Sequence, residues 1–114
     1  MKIIPDSIDA MEKAMDVMSA RQRVIASNLA NVDTPGYKAQ KLDFEASLRN
    51  AMNGAEQAMV VEASDAPALS LDGNNVDMEG ELGDMSRNKT MYNLTAQLIS
   101  AKLRSISQIL EKEQ

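Results

Sequence analysis

Apolar residues recur at alternating spacings of three and four positions near the start of the chain. The stripe begins at Ile8, and Gln22 is its polar interruption. Its other members are Met11, Met15, Met18, Ile25, Leu29 and Val32. This heptad pattern predicts an amphipathic helix with a single narrow seam. Because such a helix has no core of its own, we expect it to pack against a second helix.

A matching pattern occupies the end of the chain. Its seam begins at Met85, treats Lys89 as a polar interruption, and continues through Tyr92, Ala96, Ile99, Leu103, Ile106 and Leu110. Beside it runs a second stripe of Met91, Leu94, Leu98 and Ala101. Two adjacent stripes indicate a helix that contacts more than one neighbour. We therefore predict a hairpin of the two terminal helices, with both seams as assembly interfaces and the second stripe left for another molecule.

The segment between the two helices has a different character. Residues 42–52 predict a short helix that begins after Asp43 and ends at Asn53. Residues 69–78 alternate apolar and polar positions around the turn sequence DGNN, which predicts a small β-hairpin. In a competing interpretation Asp77 caps the start of the C-terminal helix, although two nearby glycines weaken that start. The sequence leaves both interpretations open.

The charges are unevenly placed along the chain, whose formal net charge is −5. Residues 1–41 sum to +1, residues 42–84 to −9 and residues 85–114 to +3. An acidic middle with few large apolar residues is typical of a segment that is partly disordered in isolation. The acidic middle would also repel phosphate, and the basic residues form no stripe, so we expect no nucleic-acid partner.

The chain contains neither cysteine nor histidine. This composition excludes disulfides, thiol nucleophiles, imidazole bases and the usual zinc ligands. Carboxylate pairs such as Glu79 and Glu81 remain, but without a convergent framework a solvated acidic surface is the better interpretation. We therefore expect no enzyme, no cofactor, no metal and no small-molecule substrate. No window approaches the about 20 apolar residues that span a bilayer, so we expect no membrane insertion.

These patterns together predict a mainly α-helical fold. Long N- and C-terminal helices pair as a coiled coil, and the short, partly disordered middle segment has room for a small β-hairpin. The N-terminal coiled-coil helix is placed at residues 1–33, the turn motif and acidic middle at residues 34–83, and the C-terminal coiled-coil helix at residues 84–114. We expect the three segments to form one structural unit.

The N-terminal helix runs into the sequence NLANVDTPGYK. Pro35 fixes φ for the second residue of a turn, and Gly36 permits the positive φ that a type II turn needs next. The helix therefore ends near Asn31 or Val32. Asn31 tolerates the left-handed conformation at a helix terminus, and its amide and that of Asn28 are placed to tie the turn back to the helix end. The turn motif comprises Asn28, Asn31, Thr34, Pro35, Gly36 and Tyr37.

The string SNLANVDTPGYK resembles the N-terminal signature of the bacterial flagellar rod and hook proteins, in which a helix is followed by an asparagine-rich turn and a TPGY segment. Further strings extend the resemblance over nearly the whole chain: LDFEASL, GNNVDMEGEL and YNLTAQLISAKLRSISQIL. The short length, with no inserted domain, is similar to the proximal-rod member of that family. The sequence departs from the family at Gly80 and Gly83, where better helix formers are usual.

The resemblance implies a structural subunit of the flagellar basal-body rod, which self-assembles through its terminal helices and transmits motor torque. Its implied partners are copies of itself, the other rod proteins, the basal-body ring, the export gate and the rod adaptor protein. The implied location is the periplasmic rod, reached through the flagellar type III export apparatus without a cleaved signal. The residues alone leave one alternative open: a small helical adaptor or type III export chaperone that binds another protein's helix in a Met-rich groove.

Overall fold

The computed structural model describes residues 5–112. The outermost parts of the predicted terminal segments, residues 1–4 and 113–114, lie outside the described residues. In chain order the elements are α1 (Asp6–Ala30), β1 (Gln40–Leu42), α2 (Phe44–Met52), β2 (Val61–Ala63) and α3 (Met78–Lys112). The molecule is elongated, with extents of 69 × 26 × 16 Å. The predicted mainly helical fold with long terminal helices is confirmed.

The two terminal helices pack side by side and run antiparallel. Asn88 Nδ2 of α3 donates to Met18 O of α1 at 2.8 Å, and farther along α3 Lys102 Nζ donates to Ser7 Oγ at 3.0 Å. As α3 advances, its partners therefore move back toward the start of α1. The sequence forms this hairpin because each helix carries an apolar stripe that it cannot cover by itself.

Helix α3 begins at Met78, ahead of the boundary at residue 84 that the sequence predicted. Asp77 caps this start: its Oδ1 accepts a hydrogen bond from Gly80 N at 3.2 Å, and its main-chain O accepts from Glu81 N at 2.8 Å. A Cβ at residue 80 would lie 2.6 Å from Asp77 Oδ2. Gly80 thus leaves room for the capping carboxylate, and the interpretation with Asp77 as the cap is the correct one.

The middle segment contains a two-stranded antiparallel sheet, in which Gln40 pairs with Ala63 and Leu42 with Val61. A small sheet was predicted, but its placement at residues 69–78 is wrong. Residues 69–77 form a loop with a turn rather than two strands, and Met78 already begins α3. The asparagine side chains of this loop donate hydrogen bonds to main-chain oxygens of other segments. The loop is therefore held against those segments, and its two halves do not pair with each other as the strands of a hairpin would.

Helix α2 confirms the short helix predicted over residues 42–52. Asp43 Oδ1 accepts from Ala46 N at 3.0 Å at its start, and the helix ends at Asn53. Its apolar side packs against α1 around a small core made of Val17, Ala20, Leu42, Val24, Phe44, Leu48 and Ala51. This core attaches the middle segment to the helix pair.

Between residues 5 and 112, no helix has the length and apolar character needed to cross a membrane.

Candidate assembly site

The predicted seam of α1 lies on the inner face of the helix pair. Met18 and Ile25 are buried, at 4% and 5% exposure. The other predicted interface positions are half-buried, namely Met11, Met15, Leu29 and Val32. The contact of α1 with α3 is the most extensive between elements of the fold. The α1 seam is therefore used within one molecule, and a role for it between molecules stays a prediction.

The predicted seam of α3 is less completely covered. Four of its members are half-buried: Met85, Ala96, Ile99 and Ile106. The other three are exposed by 38% to 54% of their surface: Tyr92, Leu103 and Leu110. Their contact with a neighbouring molecule stays a prediction.

The second stripe of α3 is only partly covered within the molecule. We call Met91, Leu94, Leu98 and Ala101 the outer stripe. Its three large side chains are about half exposed, at 45%, 55% and 49% in chain order, and Ala101 is exposed as well. A contiguous apolar stripe on the surface of a helix is typical of a protein-interaction face. The outer stripe is therefore a candidate interaction face on the described surface of α3.

A buried polar layer crosses the helix pair at Asn88, which is 3% exposed. Its Nδ2 donates to Met18 O at 2.8 Å and to Gln22 Oε1 at 2.7 Å, and its Oδ1 accepts from Arg21 Nε at 2.8 Å. Sequence reasoning missed Asn88 and took the adjacent Lys89, which is exposed, as the polar interruption. Gln22 in the α1 seam could have indicated Asn88, because a polar side chain buried in one seam requires a polar partner in the other.

The turn after α1 has the predicted conformation. Gly36 has φ of +73°, and Tyr37 N donates to Thr34 O at 3.2 Å across Pro35. A positive φ at the third residue, after a proline at the second, is typical of a type II turn. The prediction made from the TPGY string is confirmed.

Asn31 ends α1 but does not adopt the left-handed conformation that the sequence suggested. Its φ is −105°, and among the described residues only glycines have positive φ. The left-handed conformation is not needed, because Asn31 N still donates to Ser27 O within the last helical turn. Its side chain does tie the turn to the helix as predicted, since Nδ2 donates to Ser27 O at 2.8 Å and Oδ1 accepts from Thr34 Oγ1 at 3.0 Å.

Asn28 reaches farther than predicted. It is 1% exposed, its Nδ2 donates to Gln40 O and its Oδ1 accepts from Gln40 N, both at 2.8 Å. The same Oδ1 accepts from the Tyr37 hydroxyl at 3.2 Å. Asn28 therefore holds β1 against α1 as a neighbouring strand would, and it reaches the turn only through Tyr37.

Two asparagines of the GNN string complete the arrangement, although the sequence analysis assigned them no role beyond a turn. Asn74 Nδ2 donates to Asn31 O at 2.9 Å and to Thr34 O at 2.8 Å. Asn75 Oδ1 accepts from Ala39 N at 2.7 Å. We call Asn28, Asn31, Asn74 and Asn75 the asparagine junction. No buried side-chain nitrogen or oxygen of the described residues lacks a partner, so the junction is a fully satisfied network that fixes the exit from α1.

A groove of about 470 Å³ lies beside the junction, between α1, β1 and the start of α3. Burial raises the pKa of the Glu81 carboxyl; Asp84 and Asp77 raise it further, while the Asn28 amide and Lys41 lower it. Within residues 5–112, no cluster of acidic side chains could hold a metal ion. The chemistry of the site is directional hydrogen bonding that orients main-chain segments.

Comparison with known proteins shows the family to which this chain belongs. The family described as Flagella basal body rod protein matches residues 8–38, which contain the α1 seam and the turn motif. The flagellar basal body rod protein FlgB of Borrelia hermsii is 30% identical, with 97% of this chain and 100% of the relative covered. The chain belongs to the FlgB family of flagellar basal body rod proteins.

FlgB-family membership makes this chain a component of the flagellar basal body rod. The FlgB of Escherichia coli (strain K12) is 30% identical over 93% of this chain and 96% of the relative. The FlgB of Bacillus subtilis (strain 168) is 26% identical over 96% and 97%. Similarity along nearly the whole chain confirms the resemblance drawn from its motifs, and the FlgB family is a family of structural rod proteins rather than an enzyme class.

Proposed function

We propose that this FlgB-family chain self-assembles through its terminal helices and transmits motor torque along the rod. The observation that supports self-assembly most directly is the outer stripe, because the α1–α3 pair covers one face of α3 and leaves Met91, Leu94 and Leu98 about half exposed. Covering these side chains by another copy would remove apolar surface from water. If the stripe contacts a different surface of the next copy, each contact leaves a further one to be made, which produces a helical tube.

The asparagine junction supports the torque-bearing part of the proposal. It bonds the turn after α1 to the loop before α3 through Asn74, and it bonds β1 to α1 through Asn28. Buried networks with every group satisfied are rigid. The segments at residues 1–33, 34–83 and 84–114 would therefore turn as one structural unit, and torque applied to the helices would reach the middle segment without loss at a flexible hinge.

The partners and the route follow from family membership and remain part of the proposal. The relatives are named basal body rod proteins, which supports assembly with other rod proteins at the base of the flagellum, next to the ring, the export gate and the rod adaptor protein. We propose export by the flagellar type III apparatus with the seams unpaired during passage, after which α1 and α3 pair within each copy and the folded copy docks in the rod.

A pair of exposed, adjacent positions on α3 tests self-assembly. Leu98→Asp places a charge on the outer stripe, whereas Gln97→Asp places the same charge about 100° around the helix. We expect Leu98→Asp to abolish polymer formation in a concentration series followed by sedimentation, with the helix content of the monomer unchanged, and Gln97→Asp to polymerise normally. Equal polymerisation of both variants would contradict the proposal. A discrete folded dimer at low concentration that never extends would favour the export-chaperone alternative instead.

A further inference from the structure

An asparagine is followed directly by a glycine once in the chain, at Asn53 and Gly54. Both residues are exposed and lie at the end of α2. This pair is the one most prone to spontaneous deamidation, because glycine has no Cβ to shield its main-chain nitrogen from the preceding side chain. The reaction uses only these two residues and water, so the end of α2 is a candidate modification site.

The chemical step joins the two residues to each other. Gly54 N attacks Asn53 Cγ, and the new N–Cγ bond closes a five-membered succinimide ring. The side-chain nitrogen of Asn53 leaves as ammonia, which carries away the proton that Gly54 N gives up. Water then opens the ring at either of its carbonyls, which leaves aspartate or isoaspartate at position 53. Nothing is oxidised or reduced.

The end of α2 holds this pair in an unreactive geometry. Gly54 N donates to Ala51 O at 3.1 Å, and the φ of Gly54 is +74°. Ala55 N donates to Asn50 O at 3.0 Å. These two bonds and the positive φ form a Schellman motif. Because the ψ of Asn53 is 3°, Gly54 N eclipses the main-chain nitrogen of Asn53 rather than its Cβ, and the ring cannot close.

A side-chain hydrogen bond also holds the chain beyond this turn. Asn50 Nδ2 donates to Ala58 O at 3.1 Å, a partly buried bond between the last turn of α2 and the segment that leads to β2. Helix ends open locally more readily than whole elements unfold. Opening of the last turn releases Gly54 N from Ala51 O and allows Asn53 to rotate about ψ. The reaction therefore requires this local opening.

We propose that Asn53 is a site of spontaneous deamidation whose rate is set by local opening of the last turn of α2. The product carries a negative charge at a helix C-terminus, where the helix dipole disfavours it. Isoaspartate also adds a methylene to the main chain, which moves the donors of the Schellman motif away from their acceptors. Modification at position 53 therefore loosens the helix that, through Leu48 and Ala51, packs in the core joining the middle segment to α1.

Asp72 and Gly73 are the other pair able to close the same ring, because an aspartate precedes a glycine there. The pKa of the Asp72 carboxyl is lowered, chiefly by the hydrogen bond from the Ser70 hydroxyl, so the carboxyl is ionised at neutral pH. A carboxylate resists attack by a main-chain nitrogen, since it is negatively charged and has no ready leaving group. We therefore expect the modification at position 53 and not at position 72.

Peptide mapping by mass spectrometry tests the site, by measuring deamidation at each asparagine while the full-length chain is incubated at neutral pH. Unfolded in urea, the chain should react mainly at Asn53, since no other asparagine precedes a glycine. The folded chain should react there at least about fivefold more slowly, because opening breaks both hydrogen bonds of the Schellman motif. Equal rates at Asn53 with and without urea, or a faster reaction at another asparagine in urea, overturn the proposal.

Two variants distinguish local opening of α2 from a general loss of stability. Asn50→Ser removes the amide that bonds Ala58 O and keeps a similar helix propensity. The folded variant should therefore react at Asn53 about twofold to tenfold faster than the unaltered chain. The matched control Ser64→Ala also removes one side-chain hydrogen bond to the main chain, the bond from Ala66 N, but away from α2, and should leave the rate unchanged. Equal rates in the two folded variants overturn the proposal that this turn controls the reaction.

Discussion

Asn28 and Asn74 define the structure at the scale of single residues, because each amide bonds main-chain atoms of a segment distant in the chain. Asn28 joins α1 to β1, and Asn74 joins the loop before α3 to residues near the end of α1, 43 positions away at Asn31. The turn at Pro35 and Gly36 was predictable from the sequence, since its φ values follow from the local chemistry of those two residues. The partners of Asn28 and Asn74 were not, because nothing local identifies an acceptor that only the tertiary fold supplies.

Gly36 provides a first test at this scale. Its φ is +73° and a Cβ there would meet nothing within 4 Å, so the cost of Gly36→Val is conformational, about 1–2 kcal/mol. Gly54 has nearly the same φ, +74°, and equal space, but lies away from the junction. We expect Gly36→Val and Gly54→Val to lower the urea midpoint similarly, and only Gly36→Val to impair incorporation into the rod. Equal incorporation of both would show that the geometry of the turn is not required.

Glu81 provides a test in pH. Burial raises the pKa of its carboxyl above the ordinary value of 4.5, with Asp84 and Asp77 adding to the rise. The folded state therefore binds the Glu81 proton more tightly than the unfolded state does. The free energy of unfolding falls as pH rises from 4.5 through the raised pKa, because the folded state loses this bound proton. Glu81→Gln should raise the urea midpoint at neutral pH and change it little at about pH 3.5, where both states are largely protonated.

The matched control for the pH test is Glu79→Gln, an exposed glutamate in the same first turn of α3. Both substitutions remove a negative charge from the helix N-terminus, so both lose the same small favourable interaction with the helix dipole. Only Glu81→Gln should show a gain that depends on pH. A midpoint for Glu81→Gln that falls below that of Glu79→Gln at neutral pH would contradict the account.

At the scale of elements, the alternating spacings of three and four predicted both terminal helices, because burial of one face imposes that period on the sequence. The start of α3 and the position of the sheet were harder to predict from the sequence. Gly80 lowers helix propensity, yet the fold uses it to admit the Asp77 cap. β1 and β2 are three residues each and pair across α2, so no tight turn marks them in the sequence.

The polar layer tests how α1 and α3 are matched. Asn88→Leu leaves the Arg21 guanidinium and the Met18 carbonyl without their partner, which should cost about 1–3 kcal/mol of unfolding free energy. Lys89→Leu, one position along and exposed, should change the unfolding free energy by less than about 0.5 kcal/mol. Urea denaturation of the two variants measures the difference. A larger loss of unfolding free energy for Lys89→Leu than for Asn88→Leu would mean that position 89, and not position 88, faces α1.

At the scale of the whole molecule, the chain is an elongated helix pair with a rigid junction at one end and an apolar face left open along α3. The α1–α3 seam accounts for the fold of one copy, while the outer stripe stays about half exposed in it. A single copy can therefore be folded by itself and still expose apolar side chains that another copy could cover. The sequence predicted two stripes on α3 and left the second for another molecule; the structure adds that Met91, Leu94 and Leu98 are about half exposed in one copy.

The central claim is that the outer stripe is open in the single molecule and covered in the rod. The most direct measurement is the rate of thiol labelling of Leu98→Cys in dilute solution and in the assembled polymer, with Gln97→Cys as the exposed reference. The account predicts fast labelling of both positions in dilute solution and strong protection of position 98 alone in the polymer. Slow labelling of position 98 in the dilute monomer, or equal labelling of both positions after assembly, would contradict it.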